Sequence, residues 1–384
     1  MENFTNFSAF PAMLFDSFDQ NDHGFCTVVA RVSYDLDIVT GGVTLCDDQG
    51  ELAEQDLYYG ELGYSSVQFE SDLAPYKPRM DVVINASAWA PQDKPVRSFT
   101  VGVQIGDTPR LLRIHGPREW WNMVAGWRLT DPAPIQTLEL RYEYAAGGMY
   151  MLPDDEVVAA QENTVGTGWY PRGVRKHLKK DRLPAPQIEW LTQPVRKIDN
   201  VGLAAGFGFY GRGWKGRIEC AGTYDERWKQ TRHPFLPKDF RFDYWCGAHP
   251  LLQFPLPAPL SVIPVVLKYL ISARDKADQE IRFQVPVESL FVFIMTQKGG
   301  GIAQDMALDT LVVDVPARKV YCSYRTVFSE LMEPVMTELR FVAREERYVQ
   351  SVRARQLLTD RESAYFLPLP PSLLNLKEKR GMHG

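Results

Sequence analysis

The sequence predicts a mainly β protein, with two β-rich, sandwich-like lobes joined by a long irregular, loop-rich middle that holds a few short helices. Several segments alternate apolar and polar residues with the period of a β-strand. Aromatic residues make up 12% of the 384 residues, and 28 Gly and 27 Pro residues supply frequent turns. These observations together favour strands over helices in both the N-terminal and the C-terminal parts of the chain.

The N-terminal lobe is predicted at residues 1–150 from a series of alternating segments. In residues 25–36, Val28, Ala30 and Val32 fall on one face, which is typical of a half-buried strand. Segments of the same kind follow at 80–90, 97–105, 110–115 and 137–144. Residues 106–109 form the expected hairpin loop between two of them.

The middle, residues 151–245, loses this alternation and is rich in Gly, Pro and Trp. We expect one or two helical turns at 154–161, and a short helix at 225–231 with Asp225 as its N-cap. Residues 172–182 carry six Lys or Arg residues against a single acid. We interpret that stretch as a solvated loop, and the alternative is a surface that docks an acidic partner.

Strand character returns in the second lobe, residues 246–345. Segments 251–254, 261–272 and 280–296 precede a clear hairpin, in which 311–315 and 319–324 flank a turn at 316–318. The chain then becomes charged, and we expect a helix at 343–358. The charged segment and tail at 346–384 are expected to end in extended or disordered chain.

Charge and composition exclude several classes of protein. Lys and Arg total 43 against 48 Asp and Glu, which gives a net charge of −5 and argues against binding to nucleic acid. No apolar run reaches the roughly 18–20 residues of a membrane span, so no membrane insertion is expected. The first basic residue is Arg31, and the five cysteines are widely spaced. We therefore expect no signal peptide, reduced thiols and a cytoplasmic location.

The chemistry-bearing motifs are few. Gly206, Gly208 and Gly211 match the dinucleotide-binding pattern G-x-G-x-x-G, but the residues that follow cannot begin a stable helix. The six histidines are scattered without the spacing of metal ligands. We therefore expect no cofactor, no metal site and no catalytic residues.

The most unusual segment, residues 69–84, gathers charges around two prolines. It contains three acids and two bases next to an apolar strand, namely Glu70, Asp72, Lys77, Arg79 and Asp81. Buried charges are costly unless they are paired, so we expect a salt-bridged network at the edge of a sheet. The alternative is a hydrolase-like enzyme whose site is built on Glu70, Asp72 and Lys77.

Residues 70–91, ESDLAPYKPRMDVVINASAWAP, resemble the signature of the bacterial DUF2169 family. Further motifs similar to those of the family follow in the same order at 163–169, 205–208, 221–228 and 234–240. The resemblance covers about residues 25–328. It also accounts for the glycines of the dinucleotide-like pattern, because they belong to the family's A-G-F-G motif.

The resemblance implies an accessory protein of type VI secretion rather than an enzyme. Such adaptors or chaperones bind a toxin effector in the cytoplasm and help to load it onto the VgrG/PAAR spike. A client can be held by strand addition or by an aromatic-rich surface. The candidate binding residues are the five charged residues above and a set of aromatic residues in loop-like contexts, namely Trp169, Tyr170, Trp214, Tyr224 and Trp228. A third hypothesis is a carbohydrate-binding β module, since exposed Trp residues stack on sugars.

Overall fold

The computed structural model describes residues 3–297 and 301–341. Within these ranges the protein has 27 β-strands, numbered here in chain order, and two short α-helices. The mainly β fold class is confirmed. The expected helix at 343–358 and the segment at 346–384 lie outside the described residues.

The larger of two main sheets has seven strands. All neighbours are antiparallel except one central pair, β25 and β7. The spatial order is β2 (Ala12–Phe18), β3 (Gly24–Leu36), β26 (Lys319–Ser329), β25 (Ala307–Asp314), β7 (Met80–Asn85) and β20 (Gln253–Phe254), with β4 (Val43–Leu45) paired to the end of β3. The predicted hairpin at 311–324 is confirmed as β25 and β26.

The second main sheet has five antiparallel strands. Its order is β19 (Ile188–Trp190), β10 (Thr108–His115), β9 (Ser98–Ile105), β21 (Val262–Lys268) and β22 (Glu280–Pro286). Gly106, with φ of 56°, occupies the tight turn between β9 and β10, so the hairpin expected there is confirmed.

The two main sheets share one hydrophobic core. A row of fully buried side chains crosses the larger sheet in register, from Val82 through Leu311 and Cys322 to Val32. Each main sheet combines strands from residues 1–150 with strands from residues 246–345. The two expected lobes are therefore interleaved in one body, because strands far apart in the chain pair with each other.

The remaining strands form smaller sheets around this body. Four strands follow the order β1 (Asn3–Asn6), β27 (Pro334–Phe341), β23 (Leu290–Thr296) and β24 (Gly301–Asp305), and three follow the order β12 (Gly126–Leu129), β11 (Glu119–Met123) and β18 (Arg182–Pro184). The two-stranded sheets are β13 (Thr137–Glu139) with β8 (Ser87–Trp89), β14 (Ala146–Gly147) with β17 (Thr167–Gly168), β15 (Met149–Met151) with β16 (Val157–Ala159), and β5 (Leu57–Tyr58) with β6 (Val67–Phe69).

The irregular middle covers one face of the larger sheet. Phe240 and Phe242 pack on Phe25 of β3, so this strand is buried on both faces and not half-buried as expected. The middle also contains the helices α1 (Arg172–Leu178) and α2 (Glu226–Thr231). Asp225 accepts a hydrogen bond from the backbone N–H of Trp228 at 2.8 Å, which confirms the predicted N-cap.

Two local predictions in the middle are wrong. Residues 154–161 contain strand β16 instead of helical turns, because the β-branched Val157 and Val158 pair with β15. The basic stretch at 172–182 contains α1 and the start of β18 instead of a loop, because Val174 and Leu183 are buried in a small cluster with Trp120. Neither helix in the described ranges is long and apolar enough to cross a membrane.

Candidate functional site

A row of polar residues crosses the larger sheet next to the apolar row. Asp81 of β7 is paired with Thr310 of β25, Thr310 with Ser323 of β26, and Ser323 with Arg31 of β3. Residues paired across neighbouring strands project from the same face, so the four side chains line up across the sheet. The network expected at the edge of a sheet therefore lies inside it, because β7 pairs with β25 on one side and with β20 on the other.

Lys77 reaches this row from the chain just before β7. Its Nζ atom donates to Asp81 Oδ2 at 2.8 Å and to Thr310 Oγ1 at 2.9 Å. The side chain is buried, and burial lowers the pKa of its ammonium group. The carboxylates of Asp81 and Asp309 raise that pKa by more, so the group stays protonated.

Glu70 forms the second part of the network with Arg217, and both side chains are buried. Both terminal nitrogens of the guanidinium group contact the carboxylate, while the same group donates to the carbonyl oxygens of Tyr210 at 2.7 Å and Tyr244 at 3.0 Å. Burial raises the pKa of Glu70, but the positive charges of Arg217 and Arg212 outweigh it and hold the pKa below its usual value.

Asp72 completes the network. Its carboxylate accepts from Arg31 at 3.0 Å, from Ser323 Oγ at 2.6 Å and from the backbone N–H of Ala53 at 2.8 Å. Its carbonyl oxygen accepts from Arg325 at 2.5 Å. Arg325 in turn is bonded to the buried Asp309, so this branch joins the same strands as the polar row.

The charges in this region balance. Five bases face five acids, the bases being Arg31, Lys77, Arg212, Arg217 and Arg325, and the acids Asp56, Glu70, Asp72, Asp81 and Asp309. We call these ten residues the ionic network. Balanced, hydrogen-bonded charges can be kept in a protein interior, whereas removal of one partner leaves an uncompensated charge.

A cavity of about 220 Å³ lies beside the ionic network, lined by Glu70, Asp72 and Lys77 among others. The carboxylates of Glu70 and Asp72 both face arginines, and the Lys77 ammonium group is held protonated. Among the acids of the network, Asp309 has a raised pKa because of burial, and it is bonded to Arg325 and Thr310. These contacts favour the structural interpretation of the segment over the hydrolase-like one.

Arg79 lies outside the ionic network. Its side chain is half exposed and pairs with Asp243 at 3.0 Å. It lines a second cavity of about 190 Å³ together with Arg217. Four of the five charged residues singled out in the sequence are therefore brought together, and Arg79 is not.

The five candidate aromatic residues belong to separate groups. Tyr170 and Trp214 are each 5% exposed and pack in two different small clusters, so neither ring is available on the surface. Trp169 is partly buried and donates to the carbonyl oxygen of Asp199 at 3.2 Å. Tyr224 is exposed and contacts the ring of Trp228 edge-on, with 4.6 Å between the ring centroids.

The glycines of the dinucleotide-like pattern serve ring packing. A Cβ atom at Gly206 would lie 2.6 Å from the ring of Tyr142, and one at Gly211 would lie 2.6 Å from the ring of Trp214. No group of three or more His, Cys, Asp or Glu residues with a metal-binding arrangement is found in residues 3–297 and 301–341. All five cysteines are free and buried, which agrees with their expected place in the core.

Sequence reasoning missed the distant members of the ionic network. Arg217 lies 147 residues from Glu70, and Arg325 lies 253 residues from Asp72. Asp309 joins the network through its ion pair with Arg325. A signal was present for Arg31 and Arg325, because a charged residue inside an otherwise apolar strand requires a buried partner.

Comparison with protein families places most of the chain in one family. A family model described as an uncharacterized protein conserved in bacteria, DUF2169, matches residues 21–325. The chain belongs to the DUF2169 family. The match contains the segment that supplies Glu70, Asp72, Lys77 and Asp81, and it ends at Arg325 of the ionic network. No curated protein and no solved structure matches this DUF2169 chain.

Proposed function

We propose that this DUF2169 protein is a cytoplasmic adaptor or chaperone of type VI secretion. In this proposal it binds a toxin effector and helps to load it onto the VgrG/PAAR spike, without chemical turnover of its own. The resemblance to the family supplies the biological setting, and the contacts of the charged segment at residues 69–84 supply the physical support.

The observation that carries the proposal is the internal pairing of the ionic network. Glu70 binds Arg217, Asp72 binds Arg31, and Lys77 binds Asp81, all within the protein. A general base or nucleophile needs a group with an adjusted pKa that is free to meet a substrate. Groups held in this way fasten the chain to the larger sheet, which suits a rigid scaffold that presents its outer surface to another protein.

Co-expression with the toxin encoded by a neighbouring gene tests this proposal. We expect the two proteins to co-purify from the cytoplasm as a stable complex, with an unrelated toxin domain as the negative control. In cells with an active secretion system, the effector is expected in the medium and the DUF2169 protein is expected to remain in the cells. Export of the DUF2169 protein together with the spike would refute the chaperone function.

The cavity beside the ionic network favours a second candidate function, namely a small-molecule or enzyme site. Its volume of about 220 Å³ and its lining by Glu70, Asp72 and Lys77 are compatible with a small polar ligand. Asp72→Asn and Lys77→Met test this candidate, with Glu226→Gln in the exposed pair with Lys229 as a control away from the cavity. Loss of turnover in the first two variants, with folding and partner capture preserved, would favour the enzyme over the adaptor.

A further inference from the structure

An exposed tryptophan lies between two arginines on the outer face of the three-stranded sheet. Trp121 of β11 is paired with Arg128 of β12 on one side and with Arg182 of β18 on the other. Side chains at paired positions share a face, so the three form one row. The guanidinium carbon of Arg182 lies 4.9 Å from the centre of the Trp121 ring, and the tryptophan remains 40% exposed.

The row leads into an apolar turn, and two exposed lysines precede its last strand. Met123 is exposed next to Trp121 on the same face of β11, and Val124 in the following turn is fully exposed. Lys179 and Lys180, both exposed, lie just before β18. We call these seven residues the basic platform, namely Trp121, Met123, Val124, Arg128, Lys179, Lys180 and Arg182.

The opposite face of the same sheet holds the basic platform in place. Trp120 and Leu183 are buried there in one cluster with Val174 of α1. Trp120 Nε1 also donates to the carbonyl oxygen of Gly168 at 2.8 Å. Trp121 and its neighbours are therefore presented by a packed sheet and not by a free loop, which limits the conformational entropy lost on binding.

The positive charge of the basic platform is largely uncompensated. Arg182 pairs with Glu119 at 3.0 Å. For Arg128, Lys179 and Lys180, the described part of the chain contains no acidic side chain within ion-pair distance. This concentration of cations occurs in a protein whose net charge is −5. Charge complementarity therefore points to an acidic partner.

From this surface we infer that the basic platform is a docking site for an acidic polypeptide segment that carries an apolar side chain. Carboxylates of the segment pair with Arg128, Lys179 and Lys180, while its apolar side chain covers Trp121, Met123 and Val124. The identification of that segment as part of a secretion effector or spike protein rests on the proposed function. An exposed aromatic side chain flanked by arginines is the composition found at interface hot spots.

Two other occupants fit the observations less well. Single-stranded nucleic acid requires several aromatic rings for successive bases, whereas the basic platform offers Trp121 beside the aliphatic Met123 and Val124. The chain's own residues 342–384 contain eight Lys or Arg against five Asp or Glu. Their net positive charge opposes binding to a cationic surface.

The test is selection of a randomised peptide library on the full-length protein, followed by affinity measurements on the enriched peptides by fluorescence anisotropy. We expect enriched peptides with several Asp or Glu residues around an apolar residue. Arg128→Glu and Trp121→Ala are each expected to weaken their binding about tenfold or more. Arg227→Glu, an exposed arginine on α2, is the matched control and is expected to leave binding unchanged. Thermal unfolding of each variant verifies that it is folded.

Each outcome decides the inference. Enriched peptides without excess acid, binding unaffected by Arg128→Glu, or tighter binding of oligo-dT than of any peptide would overturn it. Co-purification of the neighbouring effector with wild type and with Arg128→Glu is measured in parallel. If wild type and Arg128→Glu recover the effector equally and the library yields no acidic peptides, the basic platform is not the docking site. The adaptor function would still stand. If the library yields acidic peptides but no complex with the effector forms, the docking site is supported and the adaptor function is refuted.

Discussion

Replacing Glu70 by Gln removes the negative charge that faces Arg217 and keeps the shape of the side chain. Glu70 is 8% exposed and Arg217 is 3% exposed, so water cannot replace the lost carboxylate. Arg217 keeps its hydrogen bonds to the carbonyl oxygens of Tyr210 and Tyr244, but its charge is left unpaired. Removal of one partner from a buried ion pair costs about 3–5 kcal/mol, and we expect that loss in the free energy of unfolding.

The assay is urea unfolding followed by tryptophan fluorescence, with the midpoint and slope compared between variants. In a double-mutant cycle with Arg217→Met, the double variant should lose about 1–3 kcal/mol less free energy of unfolding than the two single variants lose together. The reason is that it leaves no isolated charge behind. Glu226→Gln, which breaks the exposed pair with Lys229, is the control and should change stability by at most about 0.5 kcal/mol.

A loss of less than about 1 kcal/mol in the free energy of unfolding for Glu70→Gln would contradict this reasoning, because a loss of that size is typical of a solvent-exposed ion pair. Additive effects of Glu70→Gln and Arg217→Met would contradict it as well. Either result would mean that the ionic network does not fasten residues 69–84 to the body of the protein.

Three further predictions concern other parts of the fold. Burial raises the pKa of Glu189, but the hydrogen bond from His115 and the charge of Arg118 outweigh it and lower the pKa to about 2. The ionised Glu189 therefore stabilises the fold fully above about pH 4.5, and this stabilisation is lost as the pH falls towards 2. Glu189→Gln should therefore flatten the stability profile measured by urea unfolding in that window, and an unchanged slope would refute the assignment. None of the five buried cysteines should react with a thiol reagent in the native protein, whereas all five should react in urea; rapid native labelling would contradict their burial. Asp225→Ala should cost about 0.5–2 kcal/mol by removing the cap of α2, and Asp225→Asn should restore most of it.

Local features of the fold could be predicted from the sequence. The alternation in residues 25–36 gives β3, and the two apolar runs around residues 316–318 give the β25–β26 hairpin, because each pattern lies within a short stretch of chain. The N-cap at Asp225 follows from its own side chain and the helix that begins after it. Charges next to an apolar strand correctly indicated a buried ionic network around Asp81.

Long-range pairing could not be predicted in this way. Nothing local to Asp81 indicates that Thr310 becomes its neighbour, and that pairing moves the network from an edge to the inside of a sheet. The basic stretch at 172–182 illustrates the same limit, because its buried Val174 and the adjoining Leu183 acquire a core only when β11 packs against them. The aromatic candidates Tyr170 and Trp214 were misjudged for the same reason, since their clusters are built from distant segments.

The parallel pairing of β7 with β25 has a consequence for biosynthesis. More than half of the chain separates Asp81 from Thr310, so β7 leaves the ribosome long before the strand that it pairs with. At about 5–20 residues per second the delay is on the order of ten seconds or more, during which β7 lacks its pairing with β25. The nascent N-terminal part must therefore stay unfinished until nearly the whole matched region has been translated. A premature stop before residue 307 would release a chain that lacks β25 and β26, the two strands between β3 and β7.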